Sequence, residues 1–176
     1  MSNVRPHNPM SQTTEKLNAQ FNRVHISLKD FEEAGGYLDT LKGRRLFPIR
    51  RALLLAAVVA YARPFTQNEK GPNPKAIAQL PINVRKELDG AEYELHMRLL
   101  GWRNQALAHS EFSVKPVGRV MGNAKGFVSS AMPFDLLSQQ IDQAMFKQMC
   151  VKLAGYCNGK LFELNHKLGP MALNAA

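Results

Sequence analysis

Near the middle of the chain, Arg103, Asn104 and His109 fall within one run, Gly101 to Glu111 (GWRNQALAHSE). Their types suit chemistry on a phosphate ester. A guanidinium can hold an oxyanion and balance charge that develops in a transition state. An imidazole titrates near neutrality, so His109 can take or give a proton. Asn104 could orient the histidine or the substrate. If the run is the last part of a helix, the helix dipole favours protonated His109, which suits a general acid or a phosphate binder. The ordinary alternative is structural: Arg103 bonds a carboxylate or carbonyl, and His109 caps the helix.

The helix that must carry these groups shows in the apolar spacing. Val84, Leu88, Ala91, Leu95, Leu99, Trp102 and Ala106 recur every three or four residues, predicting an amphipathic helix from about Ile82. On such a helix, six steps of about 100° set His109 roughly 120° around from Arg103. The two do not share a face unless the helix loosens, the arginine reaches around, or a second copy contributes.

Three further helices are predicted. The first starts at Ser11, Thr13 or Thr14 and carries Leu17, Phe21, Val24, Leu28 and Phe31, with a kink or break at Gly35-Gly36 before Leu38 and Leu41. The second opens at Pro48, is apolar on most faces to Arg63 and stops at Pro64. The fourth runs from about Pro133 along Phe134, Leu137, Ile141, Met145, Met149, Leu153, Cys157, Leu161 and Leu164. Gly155 and Gly159 could bend it, and Gly169-Pro170 stops it. Residues 66–81 read as a loop with one helical turn at Ile77–Leu80. Val114, Val117 and Val120 could pair with Phe127 and Val128 as a short hairpin around Gly122-Asn123. The fold class is all-α: a four-helix bundle with long connections after helices two and three. Residues 1–10 form a tail before a single domain, 11–176.

The balance of 23 Lys+Arg against 14 Asp+Glu gives a net charge of +9, which favours a phosphate-bearing or acidic partner. The pairs Arg44-Arg45 and Arg50-Arg51 read as solvated charge. Cys150 and Cys157 lie seven helical residues apart, a rise of about 10 Å that no disulfide spans. That suits a reducing cytoplasm. No Cys/His spacing fits zinc. The longest apolar run, Ala52 to Ala62, falls short of the roughly 20 residues a membrane span needs, so no membrane contact is expected.

Arg103-Asn104 followed by His109, with the ending Ala108-His109-Ser110, resembles the R-x4-6-H motif of the HEPN superfamily, in the branch related to abortive-infection proteins. Tyr61-Ala62-Arg63-Pro64-Phe65 is similar to a Y-x-R-P-F segment that closes helix two in that branch. The resemblance implies a HEPN-like helical bundle and a metal-independent endoribonuclease that needs no cofactor and acts on RNA as a toxin or in phage defence. Arg103, Asn104 and His109 would be catalytic. Tyr61, Arg63 and His96 would line an RNA-binding cleft. The resemblance also implies a homodimer whose two motifs form one composite cleft, with an antitoxin protein as a further candidate partner. The alternative it leaves open is a non-catalytic HEPN module that binds a protein or nucleotide. Tyr61 and Arg63 read equally well as a helix-end packing motif, and His96 as a hydrogen-bonded histidine on a polar face. Glu92 and Glu94 read as a solvated face. His25 and His166 have no partner at catalytic spacing.

Overall fold

The computed structural model describes residues 9–66, 77–104, 117–120, 128–131 and 136–169. The chain is mostly helical. Helix α1 spans Pro9–Lys42 and α2 spans Phe47–Ala62, closed by a 3-10 turn at Arg63–Phe65. A short α3 (Val84–Glu87) precedes α4 (Gly90–Trp102), and α5 runs from Gln143 to Leu168. Strands β1 (Val117–Val120) and β2 (Val128–Ala131) pair antiparallel, with Val117 opposite Ala131 and Val120 opposite Val128. The expected pairing of Val117 and Val120 with the strand of Val128 is therefore present, and Val114 and Phe127 lie outside the described residues.

Helix α1 packs along both α5 and α2, and α4 bridges α2 and α5. One hydrophobic core joins them. From α1 it takes Val24, Leu28, Phe31, Ala34, Leu38 and Leu41, spaced by three or four residues, so one stripe turns inward. Burying each of the larger side chains contributes roughly 1.5–3 kcal/mol relative to leaving it exposed. Helix α2 buries Leu54, Ala57, Val58 and Tyr61, consistent with the central place its apolar sequence predicts. Among the described residues no helix is long and apolar enough to cross a membrane. Both cysteines are free and buried.

Several expectations need correction. Helix α1 begins at Pro9, ahead of the predicted caps, and runs unbroken through Gly35-Gly36. Glycine costs about 1 kcal/mol each in a helix interior. Here Ala34, Leu38 and Leu41 are buried on both sides of the pair, and that packing holds the helix together. Ile77–Leu80 is not helical. It returns beside the 3-10 turn, where the Leu80 amide donates to the Pro64 carbonyl at 2.8 Å and Gln79 Nε2 donates to the Phe65 carbonyl. The Tyr156 hydroxyl then ties the Pro81 carbonyl to α5.

The predicted fourth helix also starts later. Residues 136–139 form a 3-10 turn, Gln140 takes a left-handed φ of 47°, and Asp142 caps α5 by accepting from the Met145 amide at 2.9 Å. Phe134 lies outside the described residues. Helix α5 passes uninterrupted through Gly155 and Gly159 and ends at Gly169, whose φ of 72° suits a glycine stop.

Candidate functional site

The helix that carries the candidate motif is shorter than its apolar spacing predicts. Asp89 breaks it from α3. Its carboxylate accepts from the Glu92 amide at 2.9 Å, and the Glu92 carboxylate accepts from the Asp89 amide at 3.0 Å. This reciprocal capping box satisfies two amides that the first helical turn leaves unpaired. Its signature, an acidic cap followed three residues later by glutamate, is present in the sequence as Asp89-Gly-Ala-Glu92.

From this start α4 buries Glu92, Leu95, His96 and Leu99. Ala91, assigned to the stripe from sequence, is exposed instead. Glu92 corrects the reading of a solvated carboxylate: it is 2% exposed, and Lys152 of α5 donates to both its oxygens at 2.6 and 2.8 Å. The Lys152 side chain is 37% exposed, so this half-buried pair ties α4 to α5 from one side. Glu94 is exposed, as expected.

At its other end α4 is α-helical to Trp102, over which the Arg98 guanidinium lies at 5.8 Å, and Arg103 and Asn104 continue it as a π turn. Arg103 keeps helical backbone angles and donates its amide toward Leu99 and Leu100. Arg103 Nη1 donates to Asn104 Oδ1 at 3.0 Å in an exposed setting. Arg103 has no carboxylate partner among the described residues. The structure thus brings Arg103 and Asn104 together. His109 and Ser110 lie outside the described residues.

Tyr61, Arg63 and His96 come together elsewhere, as parts of the packing. The Tyr61 ring is fully buried. It meets Phe146 edge-on at 5.1 Å, and its hydroxyl lies 2.9 Å from His96 Nδ1. Phe65 packs edge-on against the His96 ring at 4.7 Å. Burial lowers the His96 pKa to about 4 and raises that of Tyr61 well above its ordinary value, so both are neutral at pH 7.

Arg63 Nη1 donates to Asp30 at 3.1 Å and Glu33 at 2.7 Å, both on α1. Burial pushes the Asp30 carboxyl above the ordinary carboxylate range against the pull of Arg63. A hydrogen bond from the Tyr37 hydroxyl, helped by Arg63, lowers that of Glu33. Arg23, itself buried, donates to the Arg63 carbonyl at 3.0 Å, placing a cation at the C-terminal end of α2 where the helix dipole favours it. The Tyr61–Phe65 segment therefore locks α2 to α1 and α4.

The roles of Arg23, Asp30 and Glu33 carry no local sequence signal, because their partner stands at least 30 positions away. Among the described residues no group of three or more His, Cys, Asp or Glu could hold a metal ion. Arg44 and Arg45 are exposed at the α1–α2 turn, and His25 and His166 are exposed on α1 and α5. The chain matches no protein-family model, no curated protein and no solved structure.

Proposed function

We propose that this chain is a HEPN-type metal-independent endoribonuclease built as a HEPN-like four-helix bundle. The supporting observation is the state of Arg103. It stands at the end of α4, held by the neutral Asn104 amide with no carboxylate on it among the described residues. A guanidinium held this way keeps its charge for a phosphate, whereas Arg63 spends its charge on Asp30 and Glu33.

In the proposed reaction, a ribose 2′-hydroxyl gives its proton to a neutral His109. The 2′-oxygen then bonds the adjacent phosphorus. The bond from phosphorus to the 5′-oxygen breaks, and that oxygen takes a proton from the charged His109 of a second protomer. The products are a 2′,3′-cyclic phosphate and a free 5′-hydroxyl. Arg103 neutralises charge on the phosphoryl oxygens, and Asn104 fixes the guanidinium.

The test is RNA cleavage by the purified protein with a chelator present, alongside Arg103→Ala and His109→Ala. Each substitution should lower cleavage by about 10²–10⁴-fold with an unchanged circular dichroism spectrum. Full activity in both variants sinks the mechanism. No cleavage by the wild-type chain at any concentration favours a non-catalytic binding module instead.

A further inference from the structure

A second place on α4 has the makings of a binding site, and it uses neither Arg103 nor His109. Ile82, Asn83, Val84, Arg85, Tyr93 and His96 line a depression of about 440 Å³. None of these six side chains carries a negative charge. His96 is only 4% exposed.

One edge of the His96 ring is committed, because its Nδ1 lies 2.9 Å from the hydroxyl of the fully buried Tyr61. A buried phenol must give its proton to an acceptor, since an unmade bond there costs about 1–3 kcal/mol. The neutral imidazole nitrogen is that acceptor. If Tyr61 donates to Nδ1, the ring proton sits on Nε2. The edge left to line the depression then presents an N–H donor. Phe65, at 4.7 Å, and Tyr93, at 5.9 Å, hold the ring, so the donor is fixed in direction. Arg85 adds its charge at the rim with its guanidinium 4.8 Å above the Tyr93 ring, and Asn83 adds an amide.

We propose that this depression binds the oxyanion of a phosphate ester. His96 Nε2–H and Arg85 donate to the oxygens, and the exposed part of Tyr93 offers a flat apolar surface beside them. A fixed neutral donor next to a guanidinium favours an acceptor-only ligand and offers nothing to a cation. A backbone phosphate of RNA and the phosphate of a free mononucleotide share this chemistry.

The test is a titration of the protein, labelled with nitrogen-15 in its histidine rings, with inorganic phosphate, adenosine monophosphate and a short single-stranded RNA. His96 should show its proton on Nε2 before any ligand is added. Its ring signals should move saturably with phosphate, and Arg85→Ala should weaken that response about tenfold or more, the loss of one charged contact of about 1.4 kcal/mol. Tighter binding of RNA than of the mononucleotide assigns the site to an RNA backbone; the reverse assigns it to a nucleotide. A proton on Nδ1, an absent response to all three ligands, or an equal response in Arg85→Ala overturns the proposal. His109→Ala should respond as the wild type does, so failure of the cleavage mechanism and failure of this site are separable.

Discussion

His96 and Arg103 lie on the same helix, and their surroundings differ in kind. Packing has surrounded the imidazole with Tyr61, Phe65 and Tyr93, while among the described residues the guanidinium donates to a neutral amide. The consequence for His96 can be measured. Its pKa falls from an ordinary 6.5 to about 4 because burial disfavours the charged ring. Between those values the unfolded chain binds the proton that the folded chain refuses. The stability gained by burying a neutral ring is therefore complete above about pH 6.5 and is lost as pH falls toward 4, at a slope of at most about 1.4 kcal/mol per pH unit. Urea unfolding of wild type and His96→Phe should show the wild-type advantage narrowing from pH 7 to pH 4.5. A gap that stays constant over that range would mean that the ring is not held neutral by the fold.

At the scale of the elements, α1 decides the geometry, because α2 and α5 both pack along it. Its continuity across Gly35-Gly36 comes from the buried stripe and not from local preference. An ideal Cβ at Gly36 meets nothing within 4 Å, and one at Gly35 meets only the Cys150 Cβ at an ordinary 4.0 Å. Gly36→Ala should therefore stabilise the protein by about 0.5–1 kcal/mol, seen as a higher urea midpoint with an unchanged slope. Destabilisation would show instead that the chain uses the pair as a hinge. Helix α4 follows a different rule. Asp89 sets its start and Glu92 ties it to Lys152 of α5, so the end that carries Arg103 is positioned from its beginning, thirteen residues away.

For the whole molecule the proposal requires two copies, since one His109 takes the proton of the 2′-hydroxyl and the His109 of a second protomer gives one to the leaving oxygen. Sedimentation should find a dimer. A mixture of wild type with excess His109→Ala, under conditions that exchange protomers, should lose more cleavage than the dilution of wild-type chain explains, because each mixed dimer keeps one of the two histidines. A loss that only follows the dilution would place both proton transfers in one chain's site.

The helices themselves were legible in the residues. Apolar spacing found the buried stripes of α1 and α5, Pro48 and Pro64 bounded α2, Gly169 stopped α5, and the valines near Gly122-Asn123 marked the hairpin. These signals work because they act between residues a few positions apart. The capping box at Asp89 is of the same kind, and it explains why α4 is shorter than its periodicity suggests. The fates of the polar side chains were not legible. Glu92 is buried because Lys152 reaches it, Arg63 is neutralised because Asp30 and Glu33 lie across from it on α1, and His96 is a core residue because Tyr61 turns toward it. Each partner is at least 30 positions away in the chain. The cost of burying a charge or an amphoteric ring depends on what the fold places within about 3 Å of it, and only the tertiary structure decides that.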